Sequence, residues 1–290
     1  MAPVTGRTTV AGIIGFPVTH SLSPVMHNAA FQALGLDWVY VPFQIPPERL
    51  AAGVAGLAAL GVAGFNVTIP HKVAIIPLLD RISPEAELVG AVNVVALQDG
   101  ALLGYNTDGT GLVAALAREL GFTPAGRSVL VLGAGGAARA AVAALGSAGA
   151  ARICLANRSG APAAGLVASL APRLPNLALC ADTLARLEDP SFLGSFDLIV
   201  NTTSVGMAGD SFAGLALSAL KTDLMVYDMV YAPPVTPLLA QARACGLCAA
   251  NGISMLVAQG EAAFTIWTGQ APPDGCMAGA LRALGLPGIP

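Results

Sequence analysis

The sequence predicts a two-domain α/β protein, and three observations carry that prediction. β-type runs alternate with amphipathic helical runs from the N-terminus to about residue 108, a second strand and helix series starts at Ser128, and two helical stretches close the chain. With 290 residues the chain can form two hydrophobic cores, and 55% hydrophobic against 11% charged residues excludes disorder. The expected boundaries are 1–108, 109–250 and a C-terminal helical segment, 251–290, that packs back on the first domain.

Taken in order, Thr9 to Gly15 is a short strand, and Ser21 or Ser23 through Gly35 has helical spacing with Pro24 in its first turn. Trp38 to Phe43 alternates like a strand, Pro46 to Gly61 is helical, Gly64 to Val67 is a strand and Lys72 to Leu79 is helix-compatible. Val92 to Leu97 and Leu102 to Tyr105 flank Asp99-Gly100, a dipeptide suited to a two-residue hairpin turn. Gly109 to Leu120 is the next helix. The second series reads strand Ser128 to Leu132, helix Ala137 to Gly149, strand Arg152 to Ala156, helix Ala163 to Leu170, then strands Phe196 to Asn201 and Leu224 to Asp228. Ser254 to Thr268 and Met277 to Leu284 have helical periodicity.

Composition excludes several partners. A net charge of -3 without a Lys/Arg cluster lacks the footprint of phosphate-backbone binding, so no nucleic acid is expected. Mean hydropathy is high, at +0.70. Yet the uncharged run Leu50 to Phe65 is short of a span, and Ser128 to Ala151 carries Arg139 near its middle, so no membrane segment is expected. Met1 to Gly12 lacks the basic lead and apolar stretch of a signal peptide. Five scattered cysteines point to a reducing compartment, and hence a cytoplasmic protein. Cys245 and Cys248 lack a second ligand pair, and His20, His27 and His71 are explained by polar or capping roles, so no metal is expected.

Gly133-Ala134-Gly135-Gly136-Ala137-Ala138 follows the strand Val129 to Leu132 and opens a helix, which is the context a dinucleotide-binding G-x-G-x-x-A turn requires. Gly133 permits the tight turn, Gly135 admits a pyrophosphate to the backbone, and Ala138 lets the helix lie close to the sheet. The next strand ends in Asn157-Arg158-Ser159, not in Asp or Glu, and a guanidinium suits a 2'-phosphate, which favours NADP over NAD.

Lysine is scarce, with only Lys72 and Lys221. Lys72 follows Phe65-Asn66-Val67-Thr68-Ile69-Pro70-His71 at a strand end, and Asn106-Thr107-Asp108 ends the hairpin at the domain boundary. A lysine and an aspartate opposite a nicotinamide are the parts needed to move a proton while a hydride moves from carbon.

The chain resembles the shikimate dehydrogenase family over about residues 10 to 270. The resemblance rests on Ser21-Leu22-Ser23-Pro24 with Met26-His27-Asn28, Phe65 to Lys72, Gly90-Ala91-Val92-Asn93, Gly104 to Gly109 and the glycine turn with Asn157-Arg158. It continues through Asn201-Thr202-Thr203-Ser204-Val205-Gly206-Met207, Asp228 to Tyr231 and Asn251 to Gly269.

The resemblance implies a substrate-binding domain followed by a Rossmann-like NADP domain, and reversible reduction of 3-dehydroshikimate to shikimate by NADPH on the way to chorismate and the aromatic amino acids. It implies Lys72 as principal acid/base, with Asp108 bonding the substrate hydroxyl and orienting Lys72. Ser21, Ser23 and Tyr231 would address the carboxylate, and Asn66, Thr68, Asn93 and Gln259 the ring oxygens. Gly133, Ala134, Gly135, Gly136, Ala137, Asn157, Arg158, Ser159, Thr202, Ser204, Met207, Met229 and Gly252 would line the cofactor site.

Two departures from the family pattern stand out. Ser159 replaces a common Thr, and Pro162 stands where a second basic residue is common, so a weaker NADP preference is expected. Val94 in place of Thr is expected to affect packing. The alternatives are a quinate/shikimate dehydrogenase with relaxed cofactor use, against which Ser21 with Ser23 argues, and a non-catalytic shikimate-binding homologue, against which Lys72 and Asp108 argue. Both a monomer and a homodimer are compatible with the composition.

Overall fold

The computed structural model describes residues 3–219 and 223–285; Lys221 lies outside them. The chain forms two compact units, one made of the residues up to Thr107 with those from Val257 onward, the other Asp108–Leu256.

The first unit opens with β1 (Thr9–Gly15), α1 (Ser23–Ala33), β2 (Trp38–Gln44) and α2 (Leu50–Ala59), and continues with β3 (Gly64–Val67), β4 (Arg81–Ile82), α3 (Pro84–Val89), β5 (Val94–Gln98) and β6 (Ala101–Tyr105). These strands make one mixed sheet in the order β2-β1-β3-β5-β6-β4. β1 runs parallel to β2 and β3, while β5 is antiparallel to both β3 and β6. The β5–β6 hairpin turns on Asp99 (φ 51°) and Gly100 (φ 81°), two left-handed residues that match the right-handed twist of the strands. Ile14, Val54, Phe65, Val67, Ile75 and Val95 are buried together as its core.

The second unit holds α4 (Asp108–Leu120), β7 (Ser128–Leu132), α5 (Gly136–Ser147), β8 (Arg152–Asn157), α6 (Gly160–Leu170), β9 (Ala178–Thr183), α7 (Pro190–Leu193), β10 (Leu198–Asn201), β11 (Met225–Asp228), α8 (Pro237–Ala244) and β12 (Cys248–Asn251). All of its strand pairs are parallel, in the order β12-β11-β10-β7-β8-β9. The order reverses between β7 and β10, and loops diverging at such a switch point open a crevice at the carboxyl ends of the strands. α9 (Ile253–Thr268) and α10 (Cys276–Arg282) are the last elements among the described residues. In the first unit α10 packs on α1. The Trp267 indole donates to the Val95 carbonyl at 2.9 Å and lies so close over Gly64 that any side chain there would collide with it.

Several elements differ from the sequence expectation, α6 among them, which begins at Gly160. Lys72 to Leu79 is a run of turns ending in a 3₁₀ turn at Ile76–Leu78, because Pro77 has no N–H to extend a helical ladder. Pro46 to Gly61 divides into a 3₁₀ turn, Pro47–Arg49, and α2. The last helix starts and stops earlier than its periodicity suggested, at Cys276 and Arg282, and α5 begins at Gly136. The sequence pattern does not announce β4, α3, β9, α7, α8 or β12; of these, β4 has two residues and α7 four, too few for a periodic signal.

Candidate active site

In the first unit, polar side chains from five segments converge. The Tyr40 hydroxyl donates to Asn66 Oδ1 at 2.7 Å, and Asn66 Nδ2 donates to the Asn93 carbonyl at 3.2 Å. Asn93 Nδ2 donates to Thr107 Oγ1 at 3.0 Å and reaches Gln259 Oε1 at 3.5 Å, while the Thr107 N–H donates back to Asn93 Oδ1 at 2.8 Å. Thr107 Oγ1 donates to the Gln259 carbonyl at 3.1 Å, so α9 is tied to the chain that leaves β6. Asn66, Asn93, Thr107 and Gln259 are all buried, and a buried amide is stable only when so satisfied.

Ser21 Oγ accepts from the Ser23 N–H at 3.3 Å where the chain enters α1, and Ser23 is buried. Thr68 sits half-buried with its methyl against Gly15. Lys72 is half-buried in the following turn; its carbonyl accepts from the Val92 N–H at 2.8 Å, and its neighbour His71 holds the turn through Nε2, 2.7 Å from the Ile45 carbonyl. Behind the amides, His27 is fully buried and stacked on Tyr40 at 4.5 Å between ring centres. Burial pushes its imidazole down to about 3; the nearby Asn66 amide favours the cation slightly without hydrogen-bonding geometry to either ring nitrogen.

The second unit carries the glycine turn. Gly133 has φ 116°, and a side chain there would lie 2.7 Å from Thr202 Oγ1 and 2.9 Å from Thr203, so the turn after β7 requires glycine on both counts. Gly135 caps α5 without a side-chain hydrogen bond, and at Gly135 and Gly136 a side chain would enter open space. The first-turn N–H groups of a twelve-residue helix are thus presented to an anion in a cradle that side chains would fill, which fits a dinucleotide pyrophosphate. Ala138 is fully buried.

Arg158 is exposed beyond β8, in a loop where Asn157 Nδ2 donates to the Ser159 carbonyl at 3.1 Å. Thr202 turns its hydroxyl to the Leu132 carbonyl, at 2.7 Å, and so braces the glycine turn, whereas Ser204 and Met207 are exposed. Met229 and Gly252 come together, since any side chain at Gly252 would collide with the Met229 carbonyl. Tyr231 is half-buried and burial raises its hydroxyl pKa.

Tyr40 and Thr236 were not singled out by sequence reading. Tyr40 looks like an ordinary inward strand residue, and only the Thr-Pro pair at the head of α8 marks Thr236 as a helix cap. Among the described residues no group of three or more His, Cys, Asp or Glu could hold a metal, and no helix is long and apolar enough to cross a membrane.

A glycine turn that fits a dinucleotide pyrophosphate, in an all-parallel sheet, together with a buried amide network on a mixed sheet, is the layout of a two-unit α/β oxidoreductase that uses a nicotinamide dinucleotide. Residues 13–95 match the shikimate dehydrogenase substrate binding domain, and residues 252–282 the shikimate 5'-dehydrogenase C-terminal domain. The chain belongs to the shikimate dehydrogenase family. It is 67% identical over 288 residues to the shikimate dehydrogenase (NADP(+)) of Citrifermentans bemidjiense, with 99% of each chain covered. The shikimate 5-dehydrogenase of Listeria monocytogenes, solved with shikimate and NAD, is 36% identical with a TM-score of 0.91, covering 98% of this chain and 99% of the other. That of Thermus thermophilus, solved with NADP(H) and shikimate, is 36% identical with a TM-score of 0.83, covering 95% and 99%.

Proposed function

We propose that this protein catalyses the reversible reduction of 3-dehydroshikimate to shikimate with NADPH, in the route to chorismate and the aromatic amino acids. The observation that carries the reading is the convergence of Asn66, Asn93 and Gln259, brought together across up to 166 residues of chain. Their amides offer both donors and acceptors, as the vicinal hydroxyls of a small polyol need, and a site built for hydroxyls rejects analogues lacking them.

In this reading Ser21, Ser23 and Tyr231 bind the carboxylate through neutral hydroxyls, and Asn66, Thr68, Asn93 and Gln259 hold the ring oxygens. NADPH, when bound, supplies the hydride to the carbonyl carbon. Lys72, as an ammonium, donates a proton to the oxygen that gains charge, and its free amine takes that proton back in the oxidation direction. Asp108 accepts a hydrogen bond from the substrate hydroxyl. Gly133 to Ala137 cradle the pyrophosphate and Arg158 reads the 2'-phosphate, with Asn157 and Ser159 shaping its loop. The loop with Thr202, Ser204 and Met207 borders the cofactor, and Met229 and Gly252 lie beside the nicotinamide. Five free thiols suit a cytoplasmic enzyme.

Initial rates for shikimate and quinate, each with NADP+ and NAD+, test the proposal. The expected result is the largest kcat/KM for shikimate with NADP+. Efficient quinate oxidation with NAD+ would replace it with a quinate/shikimate dehydrogenase, for which Pro162 is the first residue to examine.

A further inference from the structure

The ends of β10, β11 and β12 carry a row of polar residues in register, Asn201 beside Asp228 and Asp228 beside Asn251. Asp228 is fully buried and touches no solvent. Its Oδ1 accepts from Asn201 Nδ2 at 2.8 Å and from the Val230 N–H at 3.0 Å, and its Oδ2 accepts from Thr236 Oγ1 at 2.6 Å. One carboxylate therefore joins the end of β10, the chain leaving β11 and the start of α8.

The network continues outward through Asn201. Its Oδ1 accepts from the Thr203 N–H at 2.9 Å and from Thr203 Oγ1 at 2.7 Å, and its Nδ2 also donates to the Val205 carbonyl at 3.0 Å. Both donors and both acceptor positions of that amide are used. Thr203 Oγ1 accepts in turn from the Val205 N–H at 3.1 Å, and the Met229 N–H donates to the Asn201 carbonyl at 3.0 Å. Thr203 and Thr202 are the residues that abut Gly133.

We propose that Asp228 is a positioning residue for cofactor binding: by locking Asn201 and Thr236 to one buried carboxylate, it sets the 202–207 loop against the glycine turn. An apolar side chain would occupy this space without the cost of desolvating a charge, so what the carboxylate adds is direction. Burial does raise its pKa, against the three donors that favour the ion. An amide is a poor substitute, because with its oxygen kept on Asn201 and the Val230 N–H its NH₂ would face Thr236 Oγ1, whose O–H would lose its acceptor.

The inference rests on the dehydrogenase reading above. Its test compares Thr236→Val, Thr236→Ser and Asp228→Asn with the wild type in calorimetric titration with NADP+, in steady-state KM for NADP+ and shikimate, and in thermal melting. Loss of one charge-assisted bond predicts that Thr236→Val and Asp228→Asn weaken NADP+ binding by about tenfold. KM for shikimate should stay within about twofold, and Thr236→Ser, which keeps the donor, should restore cofactor binding.

Unchanged NADP+ dissociation constants in folded variants would overturn the proposal, and so would an equal rise in both KM values. If both Thr236→Val and Asp228→Asn lose their fold, Asp228 serves stability and the proposal is likewise overturned. A wild type that binds NADP+ but does not oxidise shikimate defeats the functional reading and leaves the binding comparison intact. Unchanged binding in variants of an active enzyme defeats only the inference.

Discussion

The Tyr40 hydroxyl, buried beneath the sheet surface, donates to Asn66 Oδ1 at 2.7 Å. Because Asn66 Nδ2 donates to the Asn93 carbonyl, turning the amide over would set two acceptors, Oδ1 and that carbonyl, against each other, so which end it presents is settled before any ligand arrives. Tyr40→Phe removes the donor and keeps the ring against His27 and Trp267. KM for shikimate is expected to rise about five- to tenfold with KM for NADP+ unchanged, the size of one lost hydrogen bond. Unaltered shikimate kinetics would show that Asn66 is oriented by something else.

Lys72→Met keeps the stem and removes the proton donor. A positioned acid/base contributes about 10²- to 10⁴-fold, so kcat should fall by that order while the dissociation constant for NADP+ holds. Stopped-flow measurement of the hydride step separates this from slower product release, and a kcat within about threefold of wild type would remove Lys72 from the proton path.

Arg158→Ala should raise the dissociation constant for NADP+ about tenfold or more and leave that for NAD+ nearly unchanged, since only NADP+ carries the 2'-phosphate. Pro162→Arg should move the ratio the other way. Titration of both cofactors into each variant reads the two effects, and equal losses for NAD+ and NADP+ would assign Arg158 a general role in shaping the loop.

His27 predicts an acid-sensitive fold. Its folded pKa is lowered to about 3 from an ordinary 6.5, so between those values the unfolded chain binds a proton that the folded chain refuses. Stability is therefore complete above about pH 6.5 and falls as pH drops through the window, by at most roughly 1.4 kcal/mol per pH unit. His27→Phe keeps a ring stacked with Tyr40, removes two buried nitrogens that lack partners, and should flatten the dependence. Urea unfolding of both proteins at pH 7.5 and pH 5 decides it, and parallel slopes would place the acid sensitivity elsewhere.

The glycine turn at Gly133, the Asp99-Gly100 hairpin and the position of most strands were legible in the residues themselves, because φ preferences, turn chemistry and apolar periodicity act within a few residues. The family's motifs likewise brought Lys72, Asn66, Asn93 and Gln259 into view one by one. What the chain order does not contain is that Tyr40 meets Asn66 across 26 positions, that Gln259 meets Asn93 across 166, or that Asp228 meets both Asn201 and Thr236. Those contacts depend on strand order and on α9 docking Trp267 over Gly64. A hydrogen bond works only over about 3 Å, and no local pattern encodes which distant side chains a folded sheet will bring within that range.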